Sequence, residues 1–381
     1  MNTRPPLENP SSTVALYLAF NDDASCFTVG TNAGFCIFNT ESCALKTIRD
    51  FNAGVGLVEM MGKANYLGLV GGGTSPKFPV NKLVLWDEFK SKSALDISAL
   101  TPVRGIKLSK ERIVVVLQNS VRAYKFAKPP TLVSAYETAN NPWGLSCLSQ
   151  RVIAIPHRTP GHIQIVDIAS GNVDIIPAHT SPVRAIALSQ DGEMVATAGE
   201  TGTIIRVFSL KTRGKIAEFR RGIDPSTIFS LAFNPSCNRL ACTSDKFTLH
   251  IFNVPHPRKG PPPDADAGPS GSTAGAGDGK GRWGMLSKIP LMPRVFSDTY
   301  SICSCPFEAG EDENAGGLPS SESTTPYPSR PPKGILGWRN DEEVVVIGAG
   351  KDIRWESFHL SKGGADGSAT IRRAAWKRFL V

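Results

Sequence analysis

Long apolar runs are missing from this chain of 381 residues. No stretch approaches the roughly 20 consecutive apolar residues of a spanning helix, so a bilayer is expected to be met from outside. The opening MNTRPPLENPSS carries no apolar segment, and no secretory signal is read there. Helical periodicity is nearly absent. The eight cysteines are scattered, and only Cys303 and Cys305 are close-spaced. No second cysteine or histidine pair completes a zinc site around them, so no metal or cofactor is expected and a reducing cytosolic setting fits. A Gly-rich phosphate loop of the P-loop kind, a G-x-S-x-G elbow and an H-E-x-x-H pair are all lacking, and the six histidines are dispersed. An enzyme is therefore not expected. No Lys/Arg run with interleaved aromatics marks a nucleic-acid binder. The nearest approach is IRRAAWKRF at 371–379, which reads as a short basic tail.

What the chain does have is a repeated β pattern. Hydrophobic residues make up 41% and charged residues 20%, ordinary for a soluble globular protein. The formal net charge of +8 and pI of about 9.1 favour an anionic partner. At 187–210, ALSQDGEMVATAGETGTIIRVFSL, three short apolar runs are separated by turns at 190–192 and 200–202. The unit recurs at 16–38 and 231–252, with looser copies at 57–86, 103–126, 145–166 and 334–358. Seven units spaced roughly 40 residues apart are what four-stranded propeller blades produce. A blade cannot bury both faces alone, so the blades must close into a ring. The expectation is all-β: a seven-bladed WD40-like β-propeller, with residues 1–12 as a disordered N-terminus, 13–254 as blades one to six (first part), and 334–381 as the last blade and basic C-terminus.

Residues 255–333 break the rhythm as one long disordered insertion in blade six. Its flanks, HPRKGPPPDADAGPSGSTAGAGDGKGR and SSESTTPYPSRPPK, are too rich in Pro, Gly and Ser to bury a core. Between them lies an apolar island at 283–307, with Lys288 and Arg294 among its large residues. One reading packs it on the propeller side. The other inserts Trp283, Met285, Leu286, Ile289, Leu291, Met292 and Phe296 into a membrane interface, where basic groups meet headgroups.

Phe219-Arg220-Arg221-Gly222 sits between two of the units. Successive side chains of an extended strand point to opposite faces, so adjacent arginines at its end are placed to serve two separate sites. A guanidinium forks onto phosphate in a way that lysine cannot copy. The plain alternative is a solvated arginine pair in a turn.

A seven-bladed propeller with FRRG leaving blade five resembles the PROPPIN family, the phosphoinositide-binding propellers that include the WIPI proteins. AHTSPVRAIALSQDGEMVATAGETGTIIRVF resembles the family's blade five and RLACTSDKFTLHIF its blade six; TSPKFPVNKLVLWD at 74–87 looks like the fungal Hsv-type and WIPI-three/WIPI-four-type branch. The resemblance implies recognition of phosphatidylinositol 3-phosphate and phosphatidylinositol 3,5-bisphosphate through two rim pockets. The first would hold Arg220 with His179, Thr201 and Thr203. The second would hold Arg221 with Thr227, Ser244, Lys246, Thr248 and His250. These side chains supply donors, and phosphate oxygens accept. The plain alternatives are strand and turn threonines, a structural histidine at 179, and a turn-bonding Ser244. One departure stands out: the family's usual serine before the blade-five turn is Gly199 here, which removes a hydroxyl.

The resemblance further implies a peripheral membrane scaffold of autophagy that recruits other machinery, on preautophagosomal, endosomal or vacuolar membranes. Selective and nuclear microautophagy are among the pathways open to it. In the WIPI-four branch the bridge-like autophagy lipid-transfer protein docks at the loop after the first strand, where Asn21 and Asp23 occupy the matching positions; a simple hairpin turn is the alternative. The competing function is a WD-repeat protein-interaction scaffold without lipid recognition.

Overall fold

A computed structural model describes residues 13–257, 299–308, 333–348, 353–362 and 369–380. Apolar alternation with tight Asn, Asp, Ser and Gly turns yields seven antiparallel sheets of four strands, each in consecutive order. They span 15–50, 55–98, 105–137, 147–177, 183–220, 228–306 and 335–378. The first strand of each sheet packs against the first strand of the next, and the seventh packs against the first. The result is a closed ring of blades.

The core lies between blades rather than inside any one of them. Seven clusters of buried side chains fill the seven interfaces. Between blades five and six, Met194, Ile205, Phe219, Ile228, Leu240 and Phe252 are buried together, with Phe219 and Phe252 stacked at 5.0 Å. Burying a side chain of this size contributes on the order of 1.5–3 kcal/mol, and each is buried only because a neighbouring blade covers it.

No strand is exchanged between the first and last blades among the described residues, so side chains close the ring. Phe27 and Phe38 of blade one meet Phe379, Trp355 and Val345 of blade seven across that interface. Trp355 Nε1 donates to Thr40 O at 2.9 Å, Lys377 Nζ to Ser42 O at 2.8 Å, and Arg339 pairs with Glu41 at 2.6 Å.

Two sequence expectations change. The 371–379 segment is no tail: Ala369–Arg378 is the outer strand of blade seven, leaving Trp376 54% exposed. The end of the apolar island, Cys303–Pro306, is the fourth strand of blade six, pairing with Thr248–Asn253. Phe307 is buried beside it against Phe247. The N-terminal segment 1–12, the Pro/Gly/Ser-rich flanks, and Trp283, Met285, Leu286, Ile289, Leu291, Met292 and Phe296 lie outside the described residues.

Candidate functional site: a paired-arginine rim on blades five and six

Arg220 is the last residue of the outer strand of blade five, Lys215–Arg220, opposite Ile204 in the register. The two arginines leave this strand into different surroundings. Arg220 is half-buried, and its amide donates to Thr299 O at 2.8 Å. Arg221 is 8% exposed, its amide donating to Thr203 O at 2.9 Å. Its side chain is fastened to backbone: Nε donates to Gly202 O at 2.8 Å and a terminal nitrogen to Asp224 O at 2.6 Å. The second arginine is thus wedged between the turn of blade five and the connection into blade six.

That wedge needs Gly202. Its φ is +62°, and a Cβ there would stand 1.7 Å from Ser226 O, so no side chain fits. Ser226 closes the contact, its amide donating to Thr201 O at 3.0 Å and its hydroxyl to Asp245 at 2.5 Å. The turns of blades five and six are therefore braced to one another through the segment that follows the arginines.

For the first expected pocket, Thr201 and Thr203 lie on the turn between the second and third strands of blade five, at the same end as Arg220. His179 reaches this end from the preceding connection. Its Nε2 contacts Thr197 Oγ1 at 3.0 Å, a bond into the blade that gives it a structural role. Burial, reinforced by the positive charge of Arg206, pushes its pKa down to about 4, so the ring is neutral at pH 7. Arg206 is in turn held by Glu218 at 2.8 Å and Ala178 O at 2.7 Å.

The second expected pocket gathers at the matching end of blade six. Thr227 precedes the inner strand, its carbonyl accepting from the Asp245 amide at 3.0 Å. Ser244 is fully buried, its hydroxyl accepting the Lys246 amide at 3.4 Å, so it shapes the turn rather than facing out. Lys246 is exposed, and Thr248 Oγ1 donates to Lys246 O at 3.1 Å. His250 contacts Ser301 Oγ at 3.2 Å, and burial together with nearby Arg221 pushes its pKa down to about 4. The Arg221 charge thus reaches the His250 ring. Thr299 and Ser301 were not read from the sequence as part of this rim. They belong to the segment that returns into blade six, and nothing in their local pattern marks them.

The expected partner residues divide. Asn21 is 5% exposed, and its side chain is used up in the first turn, accepting the Cys26 amide at 3.0 Å and donating to Ser25 Oγ at 3.1 Å. Asp23 is at the surface, accepting from Ser25 Oγ at 2.6 Å and pairing with Lys63 at 2.7 Å. Beside Lys63 is a hollow lined also by Tyr66, Asp87 and Lys90, with Phe89 81% exposed at its edge.

A closed seven-bladed propeller with adjacent arginines at the exit of blade five defines a propeller scaffold with a cationic, donor-rich rim. The family model for PROPPIN matches residues 15–271, and the chain belongs to that family, the phosphoinositide-binding propellers of autophagy. SVP1-like protein 2 of Neurospora crassa is 46% identical over 426 residues, covering 100% of this chain and 99% of that one. SVP1-like protein 2 of Emericella nidulans is 50% identical over 324 residues, covering 84% and 99%. The crystal structure of Kluyvelomyces marxianus Hsv2 superposes with a TM-score of 0.73 at 21% identity, covering 97% of this chain and 100% of that one, which shows the shared fold. Among the described residues no helix is long and apolar enough to cross a membrane.

Proposed function

We propose that this protein binds membranes bearing phosphatidylinositol 3-phosphate or phosphatidylinositol 3,5-bisphosphate through two pockets on the rim of blades five and six. What supports this is the position of the two arginines: Arg220 is half-buried at the end of the strand Lys215–Arg220, level with the turn that carries Thr201 and Thr203, and Arg221 is wedged between that turn and the connection into blade six. Pocket one holds Arg220 with His179, Thr201 and Thr203. Pocket two holds Arg221 with Thr227, Lys246, Thr248 and His250, with Ser244 supporting its turn. Two modest sites on one rim bind a surface with far greater avidity than either alone. The island residues 283–296 add an apolar anchor to the same membrane, preautophagosomal, endosomal or vacuolar, and selective and nuclear microautophagy are processes such a scaffold serves. Titration of soluble inositol 1,3-bisphosphate by calorimetry tests the pockets apart from any membrane anchor. Saturable binding with two sites per chain supports the reading, and no heat at millimolar headgroup overturns it.

A second role, docking of a protein partner, is favoured by the exposed Asp23–Lys63 pair beside the Phe89 hollow. A related solved structure shows Atg21 of the same fold in complex with the coiled coil of Atg16, so a propeller of this shape is compatible with a protein partner. For this chain the proposed partner is the bridge-like autophagy lipid-transfer protein. Asp23 makes the contact, and Asn21 holds the loop in shape. Equal recovery of that partner by wild type and by Asp23→Lys in a pull-down would remove the assignment.

A further inference from the structure

We infer that Ser181 supplies pocket one with a phosphate-binding hydroxyl, standing in for a side chain that residue 199 does not have. This rests on the reading of pocket one as a phosphate site. Gly199 ends the strand Met194–Gly199 and is buried, opposite Val183 in the register. A Cβ built on Gly199 would lie 2.6 Å from Ser181 Oγ, 3.2 Å from His179 Cγ and 3.3 Å from His179 Cβ. The first distance is closer than real Cβ atoms come to any neighbour. Gly199 is not among the residues with positive φ, so its backbone does not demand glycine. The demand comes from Ser181, whose hydroxyl fills the space where a side chain would begin.

The placement of that hydroxyl fits ligand contact. Ser181 is half-buried, and among the described residues its Oγ has no hydrogen-bond partner. It lies two positions from His179, and the Pro182 carbonyl accepts the Glu200 amide at 2.8 Å, which pins this connection to the turn carrying Thr201 and Thr203. A half-buried hydroxyl without a partner gains from an anionic acceptor, and hydrogen bonds to charged groups are the stronger kind. Ser181 and His179 converge over Gly199, so the missing hydroxyl at 199 is replaced from the neighbouring connection rather than lost. The chemistry recognised is a phosphate monoester, whether on a lipid headgroup or free.

The test uses full-length wild type, Ser181→Ala, Gly199→Ser and the exchange double variant Ser181→Gly/Gly199→Ser. Each is titrated with inositol 1,3-bisphosphate, with inorganic phosphate, and with phosphatidylcholine vesicles with and without phosphatidylinositol 3-phosphate. We expect Ser181→Ala to keep its melting temperature and to bind the headgroup about fivefold to tenfold more weakly at one of two sites. Gly199→Ser is also weakened, because the added side chain meets Ser181 Oγ. The exchange variant recovers to within about twofold of wild type, since the hydroxyl is restored from the other side. A parallel loss toward inorganic phosphate assigns the hydroxyl to phosphate itself, and a loss confined to the headgroup and vesicles assigns it to the lipid. Wild-type-like binding by Ser181→Ala, with wild type itself binding, overturns the role of Ser181 alone. Absence of binding by wild type overturns pocket one and this inference with it.

Discussion

Arg221 donates from Nε to the carbonyl of Gly202 at 2.8 Å, so the arginine assigned to the proposed second pocket is fastened to the turn assigned to the proposed first one. Its amide is bound to the same turn, donating to Thr203 O at 2.9 Å. Arg220 is half-buried at the strand end, and its own amide is tied instead to Thr299 of the returning segment. The two arginines are neighbours in sequence with unequal structural duties.

That inequality predicts different single variants. Arg221→Ala leaves the Gly202 and Asp224 carbonyls without their donor and should cost about 2–3 kcal/mol of stability. It should also weaken headgroup binding at both sites, because the turn of pocket one loses its brace. Arg220→Ala should stay within about 1 kcal/mol of wild type and abolish one site only. Denaturant unfolding paired with calorimetric stoichiometry separates the two, and equal behaviour of the variants contradicts the brace.

Gly202→Ala places a methyl 1.7 Å from Ser226 O in a left-handed backbone conformation. The turn must move, and with it the seat of Arg221. A loss of at least about 2 kcal/mol and of headgroup binding is expected. An alanine variant with wild-type unfolding midpoint and affinity would show that the contact does not position the pocket.

Acid should weaken the fold through the rim histidines. The pKa values of His179 and His250 are pushed down to about 4, below the ordinary 6.5, so the unfolded chain binds more protons between those values. Their contribution to stability is complete above about pH 6.5 and is lost as pH falls toward 4. The melting temperature should therefore drop across that window, and His250→Gln should flatten part of the drop. A melting temperature independent of pH from 7 to 4 in wild type contradicts this.

Two deletions separate anchor from blade. Replacing 258–298 by a short linker should leave the melting temperature within about 2 °C, because the fourth strand of blade six remains. Extending the deletion through 308 removes Cys303–Pro306 and buried Phe307 and should lower it by several degrees. The shorter deletion should also weaken vesicle binding and make it fall more steeply with salt, since phosphate contacts are screened and apolar insertion is not. Unchanged affinity and salt response place all membrane contact in the two pockets.

The blades were legible because their signal is local. Period-two alternation and turn residues at 190–192 and 200–202 mark strands without reference to anything distant. The fourth strand of blade six was not legible: Cys303–Pro306 has only four residues, too few for its alternation to stand out, and partners about 50 positions away. Residues 371–379 were misread for a related reason. An outer strand needs little apolar content, so Arg372, Arg373, Lys377 and Arg378 hide a strand that only its pairing with Arg354–Lys362 reveals. At the rim, residue types and spacing singled out the side chains of the proposed pockets, but only burial and hydrogen bonding separate their roles. Ser244 and Asn21 look like ligand and partner contacts in sequence, yet each hydrogen-bonds its own turn, and Ser181 became visible only through the space above Gly199.

The most direct test of the central claim is co-sedimentation with vesicles bearing phosphatidylinositol 3-phosphate, comparing wild type with Arg220→Thr/Arg221→Thr at matched folded fraction. Circular dichroism fixes that fraction, which matters because Arg221 also supports the fold. The account predicts that wild type sediments with these vesicles and not with phosphatidylcholine alone, and that the folded double variant stays in the supernatant with both. Equal sedimentation of the folded double variant and wild type would contradict it.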